Sequence, residues 1–189
     1  MDVVSGTASA DGRRVRGERK RAAIIAATLR VVERDGVASV THRSVAAEAG
    51  VSTGSASYYF ATLDDLLVAA LSAAAEDYDR QLRQLVASGC DELTAVTRLI
   101  AMSAGSGRTR ALAERELNLL AARRPALRPV ARRWRDMVAG VARGLTADEL
   151  AVREVVAAAD GMCTQLLLGE VELTEGEILA VLRRALRAG

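Results

Sequence analysis

Hydrophobic residues recur at helical spacing along most of this chain, and glycines or small polar residues separate the hydrophobic stretches. The first stretch contains Ala23, Ile24, Ala27 and Val31. Gly36 follows it and suits a left-handed helix C-cap, so the pattern predicts a first helix over residues 17–35. Residues 1–16 carry few large apolar side chains, and we expect them to form a flexible basic arm.

Two short helices follow, and a glycine permits the sharp turn between them. Thr41 is a suitable N-cap for the second helix, which Gly50 ends. Ser52 is a suitable N-cap for a third helix that runs through Tyr59. The small apolar side chains that would pack between these helices are Val45, Ala46, Ala49, Val51 and Ala56. This spacing predicts a helix-turn-helix unit.

The remaining pattern predicts six longer helices. They are expected over residues 62–86, 91–104, 108–123 and 125–143, and after the capping boxes Thr146 with Glu149 and Thr174 with Glu177. Pro125 and Pro129 mark the start of the seventh helix, since proline is tolerated near a helix beginning. The predicted fold is therefore all-α, with about nine helices.

Composition supports this fold class. Half of the 189 residues are hydrophobic, only 3% are aromatic, and proline occurs twice. Cys90 and Cys163 lie far apart and match no metal-binding or redox spacing, so we expect reduced thiols and neither a metal nor a cofactor. No apolar run reaches the roughly 20 residues of a membrane span, and no signal peptide precedes the first helix. We expect a cytoplasmic protein without a membrane partner.

The positive charge is concentrated near one end of the chain. The net charge is +2, but residues 13–60 contain nine basic residues against four acidic ones, a surplus of +5. A localised basic surface favours a polyanionic partner such as double-stranded DNA. The alternative is an uneven surface charge that has no partner.

The predicted helix-turn-helix supplies the parts that DNA recognition needs. A short helix enters the major groove, and small or hydrogen-bonding side chains on its outer side allow a close approach to the bases. Arg43 and Tyr59 are placed for phosphate contacts, which position the protein without specifying sequence. The predicted DNA-binding residues are Thr41, His42, Arg43, Ser52, Thr53, Gly54, Ser55, Ser57, Tyr58 and Tyr59, together with Arg13, Arg14 and Arg16 of the arm.

Several of these assignments have structural alternatives. Tyr59 and Phe60 are also suited to fixing the third helix against the fourth. The arm arginines are suited to an adjacent minor groove, but the arm is equally compatible with remaining solvated. His42 is the only histidine, and no second histidine or cysteine lies near it in the helix, so it is not expected to bind a metal.

Residues 41–54, continued by Tyr59-Phe60 and Asp64-Asp65-Leu66-Leu67, resemble the tetracycline-repressor (TetR) family, and the similarity covers about residues 17–70. The motif consists of a threonine cap, an Ala-Gly-Val turn, a glycine in the recognition helix and an aromatic-Phe pair. Two positions depart from the family pattern. Ser57 stands where the family usually has Tyr, and Leu63 where it usually has Lys. The resemblance implies that both usual residues touch phosphate, so two backbone contacts are missing here.

The resemblance also implies a helical body that binds a small molecule and pairs two subunits through its last two helices. We therefore expect an arm (residues 1–16), a DNA-binding domain (17–62), and a ligand-binding and dimerisation domain (63–189). Apolar stripes on the last two helices are the expected homodimer interface. They consist of Val152, Val155, Val156, Ala159, Met162, Cys163, Leu166, Ile178, Val181, Leu182 and Ala185. The alternative is that these residues serve only their own subunit's core.

A ligand pocket in the body requires polar groups among apolar ones. The candidates are Tyr78, Met102, Glu116, Asn118, Trp134, Met137, Asp160 and Gln165, each of which also suits a core or surface position. With so few aromatic residues, we expect mainly aliphatic walls and an apolar or amphipathic effector. The arginines between Arg123 and Arg135 would suit an anionic ligand, although a solvated face is the simpler interpretation.

These observations predict a sequence-specific transcription regulator, a repressor that a small molecule releases from a palindromic operator. The expected coupling is mechanical, through the fourth helix. The alternative is a helical ligand-binding or scaffold protein with weakened DNA binding, which the departures at Ser57 and Leu63 favour. No catalytic residues are expected, because the chain contains neither a phosphate-binding glycine loop nor a carboxylate pair at catalytic spacing.

Overall fold

A computed structural model describes residues 5–105 and 107–187, and the side chains of the first helix from Gly12 onwards except that of Arg13. Within those ranges the secondary structure is entirely helical, which confirms the predicted fold class. The α-helices are α1 (Ser5–Asp35), α2 (His42–Ala49), α3 (Thr53–Tyr59), α4 (Leu63–Ala87), α5 (Glu92–Met102), α6 (Arg108–Leu120), α7 (Arg128–Ala131), α8 (Arg133–Arg143), α9 (Glu149–Leu168) and α10 (Glu175–Ala185). Short 3-10 helices occupy Val37–Ser39 and Pro125–Leu127.

Helix α1 begins earlier than the hydrophobic pattern predicts. It starts at Ser5, so residues 5–16 are helical rather than a flexible arm. Alanine and arginine have high helix propensity, and Arg14 pairs with Glu18 one turn later, 3.1 Å apart. Local helix propensity therefore extends the helix beyond the last apolar residues that the core requires.

Two details of the body helices also differ from prediction. The expected seventh helix is divided into Pro125–Leu127, α7 and α8, with a break at Arg132. The N-cap of α9 is Asp148, whose carboxylate accepts from the Leu150 amide, and not Thr146. The capping box of Thr174 and Glu177 at α10 is confirmed.

The chain forms two compact units, which divide within α4 between Ala70 and Leu71. This position lies beyond the boundary predicted after residue 62. We call the part up to Ala70 the head and the part from Leu71 the body. Among the described residues, no single helix is long and apolar enough to cross a membrane, and α3 and α4 meet that length and composition only as a bent pair.

Helices α1, α2 and α3 make up the helix-turn-helix of the head. Its buried side chains include Ile24, Val45, Ala46, Ala56 and Phe60. Salt bridges join α1 to α2, because Glu48 accepts from Arg30 and Arg34, each at 2.7 Å. These contacts hold α2 against α1, and α3 packs on α2.

The main core of the body lies between α5, α8, α9 and α10. Val96, Ile100, Val155, Ile178 and Leu182 are fully buried there. Packed interiors of this kind hold helices rigidly, since their packing density is close to that of organic crystals. Helix α6 and the residues of α4 from Leu71 onwards complete the part of the body that contains the cavities described below.

Candidate functional site

The turn between α2 and α3 has the geometry that the sequence predicts. Gly50 adopts a left-handed conformation with φ 65° and ψ 33°. Its amide and that of Val51 donate to carbonyls in the last turn of α2. Glycine is favoured here because a Cβ is strained at positive φ. The turn therefore ends α2 abruptly and lets α3 begin three residues later.

Both helices are capped by the predicted residues. Thr41 Oγ1 accepts from the Ser44 amide at 3.0 Å, and Ser44 Oγ accepts from the Thr41 amide at 2.9 Å. Ser52 Oγ accepts from the Ser55 amide at 3.1 Å. The hydroxyls of Thr41 and Ser52 thus satisfy helix amides, while both side chains stay exposed.

One face of α3 is exposed and consists of Thr53, Gly54, Ser57 and Tyr58. The Tyr58 side chain is 83% exposed although it is a large aromatic group, and its ring meets the Tyr59 ring edge-on. A Cβ built on Gly54 would meet no atom within 4 Å. Nothing inside the described head therefore requires glycine at this position.

The inner face of α3 is tied down by residues of the other helices. Phe60 is buried, and the Arg21 guanidinium lies 5.0 Å from its ring centre. His42 Nε2 donates to the Phe60 carbonyl at 2.8 Å. The sequence did not predict this internal partner for His42. Tyr59 is half-buried, and its hydroxyl lies close to Gly17 of α1.

The basic residues near the start of the chain lie on α1. Arg14 and Arg16 are exposed, and Arg14 pairs with Glu18. The side chain of Arg13 lies outside the described residues. Arg43 is exposed on the first turn of α2. The structure thus presents these cations on helices, and not on an extended arm.

A second candidate site lies inside the body. It is a cavity of about 50 Å³ that Tyr78, Glu114, Asn118, Trp134 and Asp160 line. The rest of its wall comprises Leu99, Ser103, Ala111, Arg115, Ala131, Arg135, Cys163 and Leu167. The lining is more polar and aromatic than the aliphatic wall that the sequence predicted.

Four of the predicted ligand residues, Tyr78, Asn118, Trp134 and Asp160, meet in this cavity. Met102 lines a neighbouring cavity of about 70 Å³. The other three predicted residues do not line the central cavity. Met137 packs against the body core, Glu116 is half-buried, and Gln165 is exposed.

Glu114 is the residue that sequence reasoning missed. Its side chain is only 7% exposed, and Arg110 Nε donates to its Oε1 at 2.8 Å. Burial raises the pKa of this carboxyl, and the hydrogen bonds from Arg110 and Tyr78 oppose that shift. The signal was present in the sequence, since Glu114 lies three residues from both Ala111 and Leu117 on the apolar side of α6.

Aromatic rings stand beside this carboxylate. The Tyr78 and Trp134 ring centres are 5.0 Å apart. Burial, with the Glu114 charge, raises the pKa of the Tyr78 hydroxyl well above its usual range. Tyr78 and Glu114 line the central cavity, the Met102 cavity and a third of about 20 Å³. They are therefore the point at which the three spaces converge.

The far wall of the cavity carries a separate ion-pair cluster. Arg115 donates to the Asp160 carboxylate at 2.9 Å and to the Asp160 carbonyl at 3.3 Å. Arg135 lies 3.8 Å from the same carboxylate. Burial raises the pKa of the neighbouring Cys163 thiol to about 11, so this thiol is not activated as a nucleophile. In the described ranges, no cluster of three or more metal-ligating side chains occurs.

Most residues predicted for the dimer interface belong to the core of the body. Val152, Val155, Val156, Ala159, Met162, Leu166, Ile178, Leu182 and Ala185 are buried or half-buried in a single chain, and Cys163 lines the cavity. Only Val181 among them is exposed, at 43%. The apolar stripes face inward because α9 and α10 must first pack on α5 and α8.

Family models match both the head and the body of this chain. The family model described as bacterial regulatory proteins of the tetR family matches residues 24–70. The model for a tetracyclin repressor-like C-terminal domain matches residues 89–188. No curated protein matches the chain.

Several solved structures have the same fold along most of the chain. The multidrug binding protein EbrR complexed with ethidium is 42% identical, with a TM-score of 0.76, and the alignment covers 88% of this chain and 98% of that one. EbrR complexed with malachite green is 43% identical, with a TM-score of 0.73 and coverage of 87% and 96%. A TetR-family member from Streptomyces coelicolor A3, SCO1917, is 42% identical, with a TM-score of 0.77 and coverage of 88% and 97%. The chain therefore belongs to the TetR family and is a DNA-binding transcription regulator, not an enzyme.

Proposed function

We propose that this regulator is a homodimeric repressor that a cationic aromatic small molecule releases from a palindromic operator. The observation that carries the DNA-binding part is the exposed face of α3. Tyr58 is 83% exposed there, and the space beside Gly54 is open. A surface without an internal role, on a helix held rigidly by its partners, is suited to the major groove.

In this proposal, Thr53, Gly54, Ser55, Ser57 and Tyr58 approach the base edges. Thr53 and Ser57 lie one turn apart, so their hydroxyls address adjacent base pairs, and Gly54 lets the helix backbone come close to DNA. The phosphate contacts come from other residues of the head. They are Thr41, His42, Arg43, Ser52 and Tyr59, with Arg13, Arg14 and Arg16 on the first half of α1.

The test is a salt titration of binding to DNA from upstream of the protein's own gene. We expect Thr53→Ala and Tyr58→Ala each to lose about 1–3 kcal/mol of specific binding free energy. Thr109→Ala, an exposed change on α6 in the body, is the matched control and should bind like wild type. A wild-type protein without site-selective binding, also in a selection from random DNA, would favour a ligand-binding scaffold instead.

The ligand class follows from the buried charge of the body cavity. A carboxylate that is almost fully buried is costly unless a cation partners it. Tyr78 and Trp134 add ring faces, which attract flat aromatic groups and cations. The relative EbrR has been solved with ethidium, malachite green and proflavin. These dyes are aromatic cations, and they are the chemical class that we propose for this chain.

The cavity in its present form is smaller than such a ligand. Pockets for drug-sized molecules have roughly 300–1,000 Å³, whereas the three neighbouring spaces here have about 50, 70 and 20 Å³. Binding therefore requires the walls around Tyr78 and Glu114 to move apart. Tyr78 lies on α4, which contributes residues to both units, so the ligand acts on a helix that the head shares. A ligand that favours one position of α4 shifts the DNA-binding equilibrium.

Ethidium fluorescence tests the ligand class directly, with protein freed of nucleic acid. We expect Glu114→Gln to weaken ethidium binding by about tenfold or more, because one buried ion pair is lost. Glu154→Gln, which removes a half-buried carboxylate of α9, is the control. Equal ethidium affinity in wild type and Glu114→Gln would exclude the cationic ligand class, while the DNA-binding part would still stand.

The dimer is proposed to use the outer faces of α9 and α10. Ala157, Gly161 and Leu168 share an exposed side of α9, and Val181 is exposed on α10. Paired helices from two copies would bury these faces in a four-helix bundle. A Cβ on Gly161 meets nothing within 4 Å in one chain, so Gly161→Arg should leave the subunit folded. We expect sedimentation to show monomers of this variant, and dimers of Arg83→Ala, an exposed change on α4, that persist as in wild type.

A further inference from the structure

The Arg110–Glu114 pair is asymmetric in its exposure to water. The two residues are one turn apart on α6, and Arg110 Nε donates to Glu114 Oε1 at 2.8 Å. The Glu114 side chain is 7% exposed and that of Arg110 is 32% exposed. Arg110 thus reaches the carboxylate from the solvent side, and its guanidinium can return to water by side-chain rotation. The buried carboxylate has no such route.

Arg110 also lines one of the cavities beside Glu114. The cavity of about 70 Å³ is lined by Arg110, Tyr78, Glu114 and Met102. The central cavity begins on the other side of Glu114. A cation that enters the cavity of about 70 Å³ borders both the Glu114 carboxylate and the Arg110 guanidinium. In a buried site the repulsion between two cations is stronger than in water.

The other charges around Glu114 are already engaged with partners of their own. Asp77 on α4 bonds Arg80 and Gln81. Asp160 bonds Arg115 through both its carboxylate and its carbonyl, and the Arg115 side chain is only 20% exposed. Arg115 therefore bonds a different carboxylate, and its side chain is more deeply buried than that of Arg110. Arg110 is the arginine that bonds the Glu114 carboxylate directly.

We propose that Arg110 is an internal counter-cation, which occupies the Glu114 carboxylate until a cationic ligand displaces it. This inference rests on the proposed ligand class and adds its selectivity mechanism. A cationic ligand replaces the Arg110 charge and leaves the buried carboxylate paired. A neutral ligand leaves the ion pair in place and gains nothing from Glu114. Arg110 therefore competes with every cationic ligand for Glu114, and cations that bind weakly do not displace it.

The experiment compares ethidium binding by wild type, Arg110→Gln, Arg110→Lys and Glu114→Gln at about pH 8.5, a pH that favours the ionised carboxylate. We expect Arg110→Gln to bind ethidium about five- to twentyfold more tightly, because the competitor is removed. Arg110→Lys keeps the competing charge and should stay near wild type. Arg83→Gln removes an exposed arginine of α4 and is the charge control.

The double variant Arg110→Gln with Glu114→Gln separates competition from other effects. If Arg110 acts through Glu114, its removal brings no gain once the carboxylate is gone, and the two changes are non-additive. Phenanthridine, the ring system of ethidium without its fixed charge, is the neutral probe. Its affinity should be the same in wild type and Arg110→Gln.

These measurements separate the role of Arg110 as a counter-cation from the proposed cationic ligand class. If Glu114→Gln binds ethidium as wild type does, the proposed ligand class itself is wrong. If Glu114→Gln weakens binding but folded Arg110→Gln binds no tighter than wild type, the ligand class stands and the counter-cation is overturned. Equal gains for ethidium and phenanthridine would also overturn it, since they indicate only a widened cavity. Circular dichroism of each variant establishes that it is folded.

Discussion

The head exposes an aromatic side chain and the body buries a carboxylate, so the two units depart from ordinary burial preferences in opposite directions. In the head, Tyr58 is 83% exposed and Gly54 borders open space. In the body, Glu114 as a whole residue is 5% exposed, within an otherwise largely apolar helix face. The buried carboxylate costs stability unless a cation partners it, whereas the exposed ring of Tyr58 carries no comparable cost.

The comparison shows that each site faces a different kind of partner. The surface of α3 is complementary to a large external surface, so it must be rigid and free of internal contacts. The Glu114 site is complementary to a small charged molecule, so it must exclude water and keep its carboxylate available to the ligand. Changes in the head should therefore alter DNA binding alone, and changes around Glu114 should alter ligand binding first.

The largest expected effect comes from Phe60→Ala. Phe60 is 2% exposed and supports the inner side of α3, so its loss should cost about 3–5 kcal/mol of stability in the head. We expect loss of DNA binding with ethidium binding retained, as measured by chemical denaturation and dye titration. Tyr58→Ala is the control, because it should lose DNA affinity without loss of stability. Parallel loss of both activities in Phe60→Ala would show that the two units unfold together.

Gly54→Ala should separate stability from function. The new Cβ meets no atom within 4 Å, and alanine favours a helix over glycine by up to about 1 kcal/mol. We therefore expect equal or greater thermal stability together with roughly tenfold weaker operator binding, a loss of about 1.4 kcal/mol. Unchanged operator affinity would mean that the α3 backbone does not approach DNA closely at this point.

The two departures from the family pattern provide a gain-of-function test. Ser57 is exposed on α3, and Leu63 is half-buried at the start of α4. Ser57→Tyr adds an uncharged hydrogen bond, so affinity should rise several-fold with the same salt dependence. Leu63→Lys adds a cation, so the slope of log K against log salt should steepen by about one. Equal slopes in both variants would argue against a phosphate contact at Leu63.

The smallest expected effect is a pH dependence of stability in the body. Burial raises the pKa of Glu114, so the folded state holds its proton at pH values where the unfolded chain has released it. Stability from this group is therefore present at low pH and is lost as pH rises through the raised pKa. Arg110, Tyr78, Asp77 and the Asp160 cluster face the same region, so Glu114→Gln is compared with wild type. The variant should gain relative stability as pH rises above the ordinary pKa of glutamate.

Most of the helix-turn-helix of the head can be predicted from local features of the sequence. The caps Thr41 and Ser52, the turn at Gly50 and the outer face of α3 all depend on contacts within about twenty residues. Local rules of capping, turn geometry and helical period act over that distance, so the printed chain contains the information. The same locality explains the confirmed capping box at Thr174 and the all-α fold class.

The cavity and the faces available to a second subunit depend on tertiary packing and could not be predicted from the sequence. Tyr78, Glu114, Trp134 and Asp160 come from four helices, and nothing local to any one of them shows that they meet. The stripes of α9 and α10 were identified as apolar, but packing turned most of their residues inward and left Ala157, Gly161 and Val181 outside. An amphipathic pattern states that a helix face is buried, and only the fold decides against which partner.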